Sequence, residues 1–170
     1  ETFFDKGVKV IVLKGAALAK TVYGDIGLRQ MSDIDLLVKR EDLPHAEDIM
    51  SGLGYRFQGD MPPDWYRENH QHISYIHPEK NIPVEIHWHI SRRAHLSRIR
   101  IVDTDIMERW WERAQNIEFS GSKALMLCPE DLIFHLCLHF FKHRFISQDE
   151  SFTSKGALIQ MCDIFQTLKH

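Results

Sequence analysis

The sequence predicts an α/β fold of the α+β kind, a small mixed sheet flanked by helices and followed by a mainly helical C-terminal part. Three observations carry this. Residues Val8–Leu13, VKVIVL, are β-branched and apolar almost throughout, which suits a strand buried on both faces. Asp33–Val38, DIDLLV, alternates acid and aliphatic before turning wholly apolar, the pattern of a strand that emerges at a cleft. After His89 the chain turns mainly helical. The organisation that follows is one unit over residues 1–100 and a helical part over 101–170, packed as one or two bodies.

Taken in order, Lys14-Gly15 stops the first strand, and Ala16–Val22 reads as a short helix of small residues ended by Tyr23-Gly24-Asp25 and a turn around Gly27. Beyond the Asp33–Val38 strand, Glu41–Leu53 is helical, with Gly52 and Gly54 as its stop. Short strands follow over Tyr55–Gln58, His72–His77 and Pro83–His89. Between the first two, Gly59–Asn69 carries Pro62, Pro63, Trp65 and Tyr66 and reads as a surface loop or a mobile flap. Helices are expected over Asp103–Arg113, Pro129–Arg144 and Leu158–Leu168, a hairpin near Asn116–Leu127, and a polar loop over Gln148–Lys155.

Bulk properties set limits. A chain of 170 residues buries about two-thirds of its unfolded surface and supports a true core. Composition, 44% hydrophobic and 26% charged, is that of an ordinary globular protein. A net charge of -3 argues against a protein built to wrap duplex nucleic acid. No run approaches the roughly 20 apolar residues of a membrane helix, and no signal peptide opens the chain. Cys128, Cys137 and Cys162 are odd in number and lack CxxC spacing, so they read as reduced, structural, buried thiols of a cytoplasmic protein. The start at Glu1 rather than Met, and a last helix still in progress at His170, read as the ends of a fragment.

The chemistry lies in the acids. Side chains two apart on a strand share a face, so Asp33 and Asp35 project together, and neighbouring carboxylates repel each other unless a cation bridges them. Alone the pair is a weak signal, since acidic pairs at strand ends are more often simply solvated. Glu85 lies in the apolar run Ile82-Pro83-Val84-Glu85-Ile86, where an ionised carboxylate is costly without a partner, which makes it a candidate third metal ligand. Gly15 opens a helix directly after a buried strand, where backbone N–H groups meet phosphate oxygens. Glycine at such a turn also serves purely steric needs.

These segments, VIVLKGAALA (Val10–Ala19), YGDIGLRQMSDIDLLV (Tyr23–Val38), VEIHW (Val84–Trp88) and PEDLIFHLCLHFFKH (Pro129–His143), resemble the nucleotidyltransferase superfamily that includes DNA polymerase beta. The resemblance is closer still to a family of uncharacterised bacterial nucleotidyltransferase-like proteins. It implies a minimal nucleotidyltransferase-like mixed sheet, with residues 1–100 as the catalytic core. It further implies two Mg²⁺ (or Mn²⁺) ions held by Asp33, Asp35 and Glu85, an NTP whose triphosphate rests on the Lys14-Gly15-Ala16 turn, and transfer of a nucleoside monophosphate with release of pyrophosphate. The superfamily turn is commonly Gly-Gly or Gly-Ser, so Lys14-Gly15-Ala16 departs from it. Glu85 or Asp35 is placed to take the acceptor proton. The acceptor, a small molecule, sugar, protein or RNA, is open. Competing readings are a non-catalytic module of the same fold that binds nucleotide or a partner, and a toxin-like enzyme that modifies tRNA.

Around this centre, Lys14 and Arg29 are candidates to neutralise triphosphate charge, Arg29 with a surface ion pair as its alternative. Ser32 either contacts phosphate or caps a turn. His87 shares a face with Glu85 and His89, and either reaches the nucleotide and orients Glu85 or forms a structural hydrogen bond. His135, His139 and His143 recur every four residues on an apolar helix; they line an acceptor pocket or pack against the front half in preference to binding zinc, since such a stripe does not converge on one tetrahedral ion. Trp110-Trp111 reads as a core tryptophan with a partly exposed neighbour.

Overall fold

The computed structural model describes residues 2–90, 104–119, 121–142, 144 and 154–169. Its strands are β1 (Ile11–Val12), β2 (Ile34–Leu37), β3 (Arg56–Gln58), β4 (His72–Ile76), β5 (Pro83–His87), β6 (Gln115–Phe119) and β7 (Ser122–Met126). They form one seven-stranded mixed sheet in the order β3-β4-β5-β2-β1-β7-β6. The helices are α1 (Thr2–Asp5), α2 (Lys14–Thr21), α3 (Leu43–Gly52), α4 (Pro63–Asn69), α5 (Thr104–Arg113), α6 (Pro129–Phe141) and α7 (Ser154–Lys169).

Strand β1 is short, yet it sits where a doubly buried strand must. It pairs antiparallel with β2 and parallel with β7, and Val8, Val10, Ile11, Val12 and Leu13 are all buried. The β2 strand, fourth of seven, runs parallel to β5 with Asp35 opposite Glu85. Alternation then separates two layers. Val84 and Ile86 of β5 pack with Ala46, Ile49 and Met50 of α3 on one side. Ile11, Leu13 and Leu37 pack with Leu18 of α2 and with Trp110, Leu132 and Leu136 of α5 and α6 on the other. Glu85 and His87, at the intervening positions of β5, face away from the α3 layer.

Several expectations need correction. Gly59–Asn69 holds helix α4, because Pro63 stands at its first position, where a missing N–H costs nothing, and Asp64 follows in the first turn. Arg67 ties that helix to Glu47 of α3 and to Asp64. The hairpin expected near Asn116–Leu127 is present as β6 and β7, and it extends the sheet. Helix α7 begins at Ser154, before the expected Leu158. Cys128 is buried, whereas Cys137 and Cys162 are exposed. Most of the expected Gln148–Lys155 loop, Asp103 and His143 lie outside the described residues. Among the described residues no helix is long and apolar enough to cross a membrane.

Candidate active site

Asp33, Asp35 and Glu85 each offer an oxygen, and these oxygens lie within 4.8 Å of one another. Parallel pairing explains the meeting: the register sets Asp35 beside Glu85, and Asp33, just before β2, projects from the same side as Asp35. Ser32 Oγ donates to Asp33 Oδ1 at 3.0 Å, so the hydroxyl orients an acid at the cavity edge. Three carboxylates of this kind form a donor set suited to a hard divalent cation.

Asp35 is only 3% exposed and has two partners. Lys14 Nζ stands 2.7 Å from Oδ2, and His87 Nε2 stands 2.9 Å from Oδ1. Burial works to raise the Asp35 carboxyl, but the His87 hydrogen bond and the Lys14 ammonium outweigh it and hold the group well below the usual carboxylate range. His87 Nε2 also lies 3.2 Å from Glu85 Oε2. Burial opposes the imidazolium, and the hydrogen bonds to Asp35 and Glu85 reverse that, so His87 titrates above its ordinary value. For Glu85 burial again pushes upward and the His87 hydrogen bond, with His72 nearby, wins downward. His72 goes the other way, pushed down to about 4 by burial and then by His87.

The β1–α2 turn stands over this cluster. Lys14 has φ 39°, in the left-handed region that a side chain enters at a cost of about 1–3 kcal/mol. That backbone twist accompanies the Nζ contact with Asp35. A Cβ on Gly15 would meet Arg29 Nη1 at 2.9 Å and Met31 Cβ at 3.2 Å, so glycine is required for close approach as well as for an open helix start. Ala16 is half-buried in the first turn of α2 and does not line the cavity.

Arg29 lines the cavity, but its guanidinium is engaged. Nη2 and Nε donate to Oδ2 and Oδ1 of Asp163 on α7 at 2.6 and 3.3 Å, and Nη1 donates to the Gln30 carbonyl at 2.7 Å. Tyr23 adds its hydroxyl to Asp163 at 2.9 Å; burial and that bond raise the phenol to about 12. Arg29 therefore pins α7 to the loop before β2, and Lys14 brings an ammonium to an acid of the cluster.

The whole arrangement borders a cavity of about 580 Å³. Its floor carries the acids, His72 and His87; its roof comes from α6 and α7, with Leu136, His139, Lys142, Ile159 and Gln160. The histidine stripe divides here. His139 lines the cavity with Nε2 3.4 Å from Lys14 Nζ, whereas His135 is buried against Trp110, ring centres 5.6 Å apart. Lys142 donates to the Ile90 carbonyl at 3.0 Å; burial and then Lys14 lower its ammonium below the ordinary value.

Sequence reasoning missed His72, Lys142 and Asp163. His72 had a signal, since it opens a strand that must pair with the one bearing His87. Asp163 had a fainter one, a single acid amid Met161, Cys162, Ile164 and Phe165, and Lys142 had none.

The same fold occurs in solved structures. The solution structure of the antibiotic-resistance factor ANT(2'')-Ia matches with TM-score 0.60 and 12% identity over 99% of this chain and 77% of that one. The lincomycin-bound lincosamide antibiotic adenylyltransferase LnuA matches with TM-score 0.55 and 14% identity over 98% and 89%. An antigenic nucleotidyltransferase-like protein from Paracoccidioides brasiliensis matches with TM-score 0.57 and 12% identity over 98% and 70%. A search of curated proteins found no match. At these identities the likeness speaks for the fold, a nucleotidyltransferase-like mixed sheet with C-terminal helices. Membership comes from the sequence itself: the model of the uncharacterised nucleotidyltransferase family matches residues 1–170, and the protein belongs to that family.

Proposed function

We propose that the protein transfers a nucleoside monophosphate from an NTP to an acceptor hydroxyl and releases pyrophosphate. The observation that carries this reading is the convergence of Asp33, Asp35 and Glu85 within 4.8 Å at the floor of a cavity whose edge is the open start of α2. Those three acids would hold divalent cations, Mg²⁺ or Mn²⁺, which supply charge neutralisation at the triphosphate and a more acidic acceptor hydroxyl. The acceptor oxygen bonds to the α-phosphorus, the bond from that phosphorus to its bridging oxygen breaks, and the electron pair leaves with pyrophosphate. Glu85 receives the acceptor proton, and His87, bonded to both Glu85 and Asp35, holds the two carboxylates in register for that transfer. Lys14 and the amides around Gly15 meet the triphosphate, while Arg29 keeps the loop beside them in place through Asp163.

The antibiotic-bound neighbours are an adenylyltransferase and a structure holding adenylyl-2''-tobramycin, which makes ATP the nucleotide to test first. The cavity also bears on the acceptor. Of its four carboxylates, Asp33, Asp35 and Glu85 are the acids that would hold the cations, and Asp163 is paired with Arg29. Lys142 adds positive charge at the roof. A neutral or anionic hydroxyl compound fits this lining better than a polyamine, whose ammonium groups need free acids.

The test is incubation with each labelled NTP, Mg²⁺ or Mn²⁺ and fractionated small-molecule and RNA acceptors, reading pyrophosphate release and a labelled product. Asp35→Asn should lower turnover by about 10²–10³-fold, measured where its melting curve shows the variant still folded. Full turnover in that variant, or no product from any NTP with folded, metal-binding protein, rejects the reading.

A further inference from the structure

We propose that His72, Glu85 and His87 form a second metal site, which takes a borderline transition ion such as Zn²⁺ or Co²⁺ through two imidazoles and a carboxylate. The pairing of β4 with β5 makes the set. His72 stands directly opposite His87 across the antiparallel ladder, and Glu85 lies two residues before His87 on the same face. The two imidazoles are 4.9 Å apart, centre to centre, and tilted by 40°. One ligand atom from each of the three residues falls within 4.8 Å of the others.

The distances are near what such an ion needs. Bonds of about 2.0–2.2 Å to nitrogen and oxygen in a tetrahedral shell set ligand atoms about 3.3–3.6 Å apart. His87 Nε2 is 3.2 Å from Glu85 Oε2, and His72 Nε2 is 3.8 Å from Glu85 Oε1. The two distances run to the two oxygens of Glu85, and the ion takes the place of the proton that His87 Nε2 shares with Asp35 and Glu85. Chemistry separates this set from the three acids: imidazole nitrogen favours zinc-like ions, whereas all-carboxylate sites favour magnesium and manganese.

Glu85 belongs to both sets, and each of its oxygens faces one histidine. An ion held by His72 and His87 therefore draws Glu85 away from Asp33 and Asp35. The proposal goes beyond nucleotidyl transfer and does not depend on it.

The experiment uses the metal-free 170-residue protein without nucleotide, titrated with Co²⁺ and followed by visible absorption. One ion should bind and produce the bands of a nitrogen-containing site. His72→Ala and His72→Gln, shown folded by their melting curves, should each weaken Co²⁺ binding at least about tenfold, while Asp33→Asn keeps the bands. The proposal falls if wild type develops no bands at millimolar Co²⁺, if both folded His72 variants bind as wild type does, or if Asp33→Asn alone removes them. Mg²⁺-dependent pyrophosphate release is measured on the same preparations, so failure of this site and failure of the transfer reaction are read separately.

Discussion

Asp35 shows how single residues divide the work. Its charge is balanced by Lys14 on one oxygen and His87 on the other, both within 3 Å. Removing one partner of a buried pair leaves the other charge uncompensated, at a cost of about 3–5 kcal/mol. Lys14→Met leaves Asp35 with His87 on its other oxygen, so it should destabilise the protein by a part of that, about 1–3 kcal/mol, in EDTA, and Mn²⁺ should restore some of it by taking the place of the ammonium; urea melts with and without the ion check both effects. His135 offers a different test, since it is buried and neither ring nitrogen has a hydrogen-bond partner. Burial, and then Lys14, push it from 6.5 down to about 3. The unfolded chain therefore binds the proton first as the solution is acidified. The contribution of His135 is full above pH 6.5 and declines as pH falls toward 3. His135→Leu should flatten that acid limb and be up to about 2 kcal/mol more stable at pH 7, as urea midpoints across pH will report. Glu85 was legible because an acid inside an apolar run is conspicuous. His135 was not, since its helical spacing with His139 matched a cavity-lining stripe and nothing local revealed that the helix turns one histidine into the core.

Elements were legible where period and punctuation agree, and obscure where a residue type serves two purposes. The strand with Asp35 and the strand with Glu85 were visible as patterns, but their adjacency was not, because a parallel pair needs a long crossover and register is written in the packing. Pro62-Pro63 reads as loop punctuation and equally as a helix start, and the structure takes the second meaning at α4. The Arg29–Asp163 pair joins the loop before β2 to α7, 134 residues on, a separation beyond any local signal. Its dependence on Gly15 can be measured. A Cβ there meets Met31 Cβ and an Arg29 tip that Asp163 and the Gln30 carbonyl hold from the other side. Gly15→Ala should cost about 1–3 kcal/mol through overpacking and should loosen α7. Hydrogen exchange at the amides of α7, faster in the variant than in wild type, is the readout; unchanged exchange and stability would show that Arg29 moves freely aside.

Across the whole molecule, the division into residues 1–100 and 101–170 raises the question of whether the first part stands alone. The sheet argues that it does not. Strand β1 lies between β2 and β7, so cutting the chain at residue 100 turns a central, fully apolar strand into an exposed edge. The same cut removes Trp110, Leu127, Leu132 and Leu136, which pack on Ile11, Leu13, Leu18 and Leu37. Loss of a buried tryptophan alone costs about 3–5 kcal/mol, and the total stability of a domain is about 5–15 kcal/mol, so the remaining contacts fall short. The cavity suffers with the core, because Lys142, His139 and Asp163 leave with α6 and α7 and Arg29 loses its acid. A chain of residues 1–100 should be largely unfolded or aggregated, with poorly dispersed amide resonances, where the 170-residue protein gives a dispersed spectrum. A well-dispersed spectrum and a cooperative melt from residues 1–100 alone would show instead that the three acids stand on an independent sheet and that the helical part is an added roof.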